Sequence, residues 1–263
     1  MGRSETASNS VLYEKKDLIV TITINRPEKR NALRMEEFGK LIKFIEDADF
    51  DESVHVIRIN SKGEKAFSAG LDLNMVQQLA DSPENVPRLL EFGYGLVKTM
   101  LRAKKPIVVQ IQGPAVAWGA IICLAADFVI AGENPNSFLS LPEIDIGLFP
   151  ATGALTMTLL NSGFRRSKRI LMVAERLTLD DAEGLGIITR RCPLADLNEE
   201  TLSYCKILAE KPQSILIPIK ALINRFASKE LEYYFTKETE AFNLAMVGKT
   251  KEFNDFIRNL WES

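Results

Sequence analysis

Apolar positions along the first half of this chain switch between two periods. Leu18-Ile19-Val20-Thr21-Ile22-Thr23-Ile24 is β-branched and alternating, which predicts a strand. Asn25-Arg26-Pro27-Glu28-Lys29-Arg30-Asn31 then forms a charged turn whose proline stops it. Phe38, Leu41, Ile42 and Ile45 recur at helical spacing. Residues 54–60 read as the next strand and 61–65 as its turn. A helix is expected from about Leu73, and Asp81-Ser82-Pro83-Glu84 as a break and a new helix start, with serine as cap. That helix carries Leu89, Leu90, Phe92, Leu96, Val97 and Met100. A strand over 106–111, a Gly113-Pro114 turn, a helix over about 118–126 and a strand over 128–131 follow.

From about residue 157 the pattern turns helical. Segments near 178–184, 199–210, 213–227, 229–246 and 249–260 are separated by Pro193, Pro212, Ser228 and Gly248. Alternating strands and helices followed by helices alone predict an α/β core over 11–190 and a helical region over 191–263. No repeat or long linker interrupts this order.

Composition narrows the function. A chain of 263 residues that is 46% hydrophobic can bury a sizeable core. Its net charge of −2 supplies no global basic field, so neither nucleic acid nor an acidic membrane is an expected partner. Arg165-Arg166-Ser167-Lys168-Arg169 is a short basic cluster, read as a solvated face. Cys123, Cys192 and Cys205 are far apart and in no metal-ligand spacing, as expected of reduced, buried thiols. His55 is the sole histidine and sits among strand residues, so a Ser-His-Asp triad and a Cys-His metal site both lose support. No apolar run reaches the roughly 18 residues of a membrane span. Residues 1–10 lack an apolar signal core, and the C-terminal Trp-Glu-Ser is no peroxisomal address, which leaves the cytoplasm as the default expectation and an organellar matrix as the alternative.

Three segments could carry chemistry. In Ala66-Phe67-Ser68-Ala69-Gly70-Leu71-Asp72-Leu73, small residues and a glycine let the main chain approach a ligand. Gly113-Pro114-Ala115-Val116-Ala117-Trp118-Gly119-Ala120 also lies between a strand and a helix. Both offer unpaired amides at a helix start, which together suit an oxyanion hole for a carbonyl. Neither matches a phosphate-cradling or dinucleotide-binding loop. The third, residues 139–150, holds Glu143 and Asp145 in an apolar stretch. A carboxylate in apolar surroundings has a raised pKa and can move protons near neutral pH. A plain cap or arginine partner is the competing reading of Glu143, and Asp145 is read as structural.

The set Asn25-Arg26-Pro27…Asn31-Ala32-Leu33, Ala66 to Leu73, Gly113-Pro114-Ala115 leading to Ala126-Asp127, and Pro142-Glu143-Ile144…Ile146-Gly147 resembles the crotonase superfamily, the enoyl-CoA hydratase/isomerase family. The resemblance keeps motif order and spacing from about residue 11 onward. It implies an α/β spiral of ββα units, an acyl-CoA thioester ligand, and homotrimers or homohexamers formed through a C-terminal helical trimerisation region. It implies no separate cofactor, since coenzyme A is part of the substrate, and no metal. The two amides that hold the thioester oxygen fall on Leu71 and Trp118. The CoA moiety would pass along Ala69, Gly70, Leu71, Asp72 and Leu73, with Lys29 near its adenosine and phosphate end.

Hydratases similar to this chain carry two glutamates, and those positions here are Ile121 and Glu143. Isoleucine can neither hold nor activate water, which argues against efficient hydration. Members with one glutamate at the Pro-Glu position resemble Δ3,Δ2-enoyl-CoA isomerases. There one carboxylate takes the C2 proton of a 3-enoyl thioester and returns it at C4, while the oxyanion hole stabilises the dienolate. Apolar Ile121 and Leu148 would keep water from that intermediate. The aspartate of the related dienoyl isomerases and dehalogenases falls on Ala151, against both. The expected function is therefore a Δ3,Δ2-enoyl-CoA isomerase using Glu143. The alternatives are a hydratase working through Glu143 alone and a non-catalytic acyl-CoA-binding paralogue. Trp118 replaces a small residue at the second amide position, so its indole must point away from the thioester or shape the acyl pocket.

Overall fold

The computed structural model describes residues 9–72, 74–75 and 86–247. Its main sheet has six strands: β1 (Val11–Lys16), β2 (Ile19–Ile24), β3 (Val56–Ser61), β4 (Ile107–Ile111), β6 (Phe128–Glu133) and β9 (Arg190–Pro193), hydrogen-bonded in that order. β1 pairs antiparallel with β2, and every later pair is parallel. A second sheet joins β5 (Ala115–Val116), β7 (Phe138–Ser140) and β8 (Leu177–Thr178).

Parallel strands need crossovers, and helices supply them. Those between strands are α1 (Met35–Phe50), α2 (Val86–Arg102), α3 (Trp118–Ala125), α4 (Ala154–Met172) and α5 (Leu179–Gly184); α6 (Leu197–Ala209) and α7 (Gln213–Val247) follow the last strand. β4 and β6 read as nearly continuous apolar runs because both sheet faces are covered. Val20, Ile22, Ile57, Ile59, Ile107, Val109 and Val129 face one cluster with Phe38, Leu41 and Ile45 of α1. Their alternates Ile19, Val56, Val108 and Ile130 face Leu197, Cys205 and Leu208 of α6. Each such side chain, fully buried, stabilises the fold by roughly 1.5–3 kcal/mol.

The four expected strands, β2, β3, β4 and β6, and α1 lie where the periodicity puts them, within a residue or two. The short strands β5, β7 and β8 are not expected from it, and three further elements differ. Val11–Lys16 forms an edge strand despite Glu14, Lys15 and Lys16, because an edge tolerates exposed charge. The expected break at Ser228 is absent: α7 runs unbroken from Gln213 to Val247, with Ser228 buried inside it. The sheet also extends past residue 190, since β9 pairs with β6 through Pro193. The helix expected from Leu73, the break at 81–84 and the helix over 249–260 lie outside the described residues, apart from a helical Asn74-Met75.

His55 has the structural place expected of it, with Nδ1 2.8 Å from the Ala209 carbonyl. All three cysteines are free and buried, and burial pushes the Cys205 thiol up to about 12.

Candidate active site

The second sheet aligns the three chemistry-bearing segments. Ser68 bridges Ala115 in parallel, and Ala115 pairs in parallel with Leu139. Parallel pairing sends all three chains out of the same end of the sheet. Leu71, Trp118 and Glu143 each follow within a few residues, so the sequence-predicted groups converge at strand carboxyl ends, where open α/β folds bind ligands.

Leu71 and Trp118 present amides with no acceptor among the described residues, while the amides just before each of them are engaged. Ala69 N–H donates to the Arg30 carbonyl, Gly70 N–H to Ser68 Oγ, and Asp72 N–H to the Leu33 carbonyl. Val116 N–H donates to the Ser68 carbonyl and Ala117 N–H to the Ser140 carbonyl. Gly70, at φ +87°, lets the segments touch: a Cβ there would lie 2.7 Å from Ala117 Cβ and 3.4 Å from the Trp118 nitrogen. Ala117 adopts φ +49°, ψ −113°, a conformation costly for any residue with a Cβ. That strain turns the following amide outward at the start of α3.

The Trp118 indole takes the first of its two options. It packs edge-on against Phe38, with ring centroids 4.8 Å apart, and lies over Gly93 of α2. The ring belongs to the core and only the backbone faces the site.

Two residues of the Asn-Arg-Pro motif hold the first loop, a role the sequence had not assigned. Asn31 Nδ2 donates to the carbonyls of Lys62 and Ala66, and Asn31 Oδ1 accepts from Arg26 N–H. The Arg26 guanidinium binds the Asp72 carboxylate at 2.9 Å, both groups being buried. Asp72 thus anchors the loop from behind rather than offering a free carboxylate to a ligand. Leu73 lies outside the described residues.

Glu143 opens a short 3-10 turn, Glu143–Ile146, that Gly147 closes at φ +68°. Its Oε2 is buried and has no hydrogen-bond partner among the described residues, and burial pushes its carboxyl up to about 7. An orphaned buried carboxylate is costly to keep and suited to taking a proton. Ile121 is buried within α3, and Ala151 packs among Val86, Leu90, Phe149 and Phe242, so neither position supplies a second acid. Asp145 is exposed.

Two cavities flank this region. One of about 600 Å³ is apolar and lined by Ile144, Leu148, Phe149, Leu155, Leu159 and Leu171. The other, about 530 Å³, is lined by Arg30, Lys65, Ala66, Ala69, Asn134 and Asn136. Lys29 is exposed on its turn, and it is its neighbour Arg30 that lines the second cavity.

The sequence and the fold both have counterparts among known proteins. The family model for enoyl-CoA hydratase/isomerase matches residues 14–254. A trans-2-decenoyl-(acyl-carrier-protein) isomerase from Streptococcus mutans is 30% identical over 193 residues, covering 73% of this chain and 72% of its own. A probable peroxisomal enoyl-CoA hydratase 1 from Arabidopsis thaliana is 27% identical over 254 residues, covering 94% and 91%. The crystal structure of enoyl-CoA hydratase from Bacillus halodurans superposes with a TM-score of 0.84 at 25% identity, covering 95% of this chain and all of that one. The chain belongs to the enoyl-CoA hydratase/isomerase family of the crotonase superfamily.

Proposed function

We propose that this protein is a Δ3,Δ2-enoyl-CoA isomerase in which Glu143 alone shuttles the proton. The observation that carries this reading is the carboxyl group of half-buried Glu143: its Oε2 is buried without a partner among the described residues and its pKa is pushed up to about 7, with apolar Ile121 in place of a second acid. Ionised Glu143 removes a C2 proton from a 3-enoyl thioester. The electron pair moves into the thioester oxygen, which the Leu71 and Trp118 amides stabilise as the dienolate. Neutral Glu143 then returns the proton at C4, leaving the 2-enoyl thioester and restoring the carboxylate. A raised pKa serves both halves, since one group must be acceptor and then donor.

Coenzyme A as carrier is supported by the cavity beside Ala69, where Arg30 and Lys65 can meet phosphate charge and two asparagines can meet a base. The apolar cavity past Ile144 suits the acyl chain. Self-association as a trimer or hexamer through the region from about 191 on belongs to this reading. Exposed Ile215, Ile219, Leu222, Ile223 and Phe226 on α7 support it. Matched 3-enoyl and 2-enoyl CoA esters test the proposal. Isomerisation should outpace water addition, and the opposite order would make the protein a hydratase working through Glu143.

A further inference from the structure

Glu238 lies on α7 and is 2% exposed. Its carboxylate is aimed at the first turn of α4. Gly153 N–H donates to Oε2 at 2.7 Å; Thr156 donates to Oε1 through its N–H at 3.2 Å and its hydroxyl at 2.8 Å. Gly153 is the cap residue of α4, sits at φ +90° and has no side chain to cap with. The orphan donors of this helix start are therefore satisfied by an acid from the far end of the chain, where an anion is also favoured by the helix dipole.

The pinned turn leads back to Trp118. Thr152, just before the cap, is buried and held at φ +62°. A Cβ on Gly93 would stand 2.9 Å from Thr152 Cγ2 and 2.7 Å from Trp118 Cη2, so threonine and indole form one wall around Gly93. On the other side, a Cβ on Gly153 would stand 3.0 Å from Leu231 Cδ1 of α7. The segment is clamped between α7 and the ring whose backbone amide faces the site.

We propose that Glu238 is a positioning residue: its carboxylate fixes the start of α4 so that Thr152 holds the Trp118 indole, and with it the Trp118 amide, in place. The inference rests on the proposed use of that amide as an oxyanion donor. It assigns part of the site's geometry to the C-terminal helix.

The chain has two tryptophans, so Trp261→Phe leaves Trp118 as the sole emitter. In that background Glu238→Gln keeps the volume and turns a donor toward the α4 amides. The expected result is a kcat lowered by up to about 10²-fold with KM unchanged. Trp118 emission should also shift to the red, with stronger quenching by acrylamide. Thr156→Val removes one of the three donors and should move both readouts the same way, by less. It decides the matter if the glutamine variant does not fold. An unchanged kcat or an unchanged Trp118 emission in the folded variant overturns the proposal. If the Trp261→Phe parent turns over no enoyl thioester, the proposed reaction fails instead, and the emission comparison alone decides the clamp.

Discussion

The indole of Trp118 fills the space a side chain at Gly93 would need: a Cβ on Gly93 would lie 2.7 Å from Cη2 of the ring. The largest side chain at the candidate site is thereby stored in the core between α1 and α2. The amide of the same residue, at the start of α3, has no acceptor among the described residues, so a bulky residue can stand at a position proposed to act through its backbone.

Gly93→Ala should cost about 1–3 kcal/mol in chemical denaturation, the usual penalty for overpacking. Adding Trp118→Phe should recover most of it. Trp118→Phe alone keeps the amide but gives up the indole that Thr152 braces, so kcat should fall with KM unchanged.

The buried pair of Arg26 and Asp72 gives a second outcome. Asp72→Ala leaves a buried guanidinium without its 2.9 Å partner and should cost about 3–5 kcal/mol. KM for a CoA thioester should rise, since the loop carrying Ala69 to Leu71 loses its anchor.

Ala117 holds a left-handed φ of +49°. Ala117→Gly should raise stability by about 1 kcal/mol in thermal unfolding, because strain relief outweighs the added chain entropy.

Glu143 fixes the sign of two pH dependences. Its folded carboxyl sits at about 7, above its ordinary value, and only the ionised form accepts a proton. Wild-type kcat/KM should rise with pH through about 7. For stability the sign is opposite. A raised folded pKa favours the protein below the unfolded pKa, and that contribution is lost as pH rises through about 7. Glu143→Gln should therefore be more stable than wild type at pH above 7, by on the order of 1–3 kcal/mol, with the gap closing toward acid pH. Paired melts across pH measure it.

Much of this was legible in the chain because the signals are local. Strands β2, β3, β4 and β6 announce themselves by β-branched runs, and α1 by its period. Glu143 stood out as an acid in an apolar stretch, and Gly70 as a glycine in a close-approach loop. What stayed hidden depends on partners far apart in sequence. Glu238 looks like one more charge on a polar helix face until α7 meets the start of α4. Arg26 and Asp72 look solvated until the turn and the loop are tied together. The direction of the Trp118 ring depends on Gly93 having no side chain, and Ser228 continues a helix because burial against neighbours overrides its breaking tendency.

The central claim is that one carboxylate moves the proton and two amides hold the oxygen. Its most direct test is the rate at which purified Glu143→Gln protein converts a 3-enoyl-CoA ester to the 2-enoyl ester, with thioester binding followed in parallel. Loss of isomerisation by about 10²–10⁴-fold with binding retained is the predicted result. Full isomerisation by the glutamine variant would contradict the account.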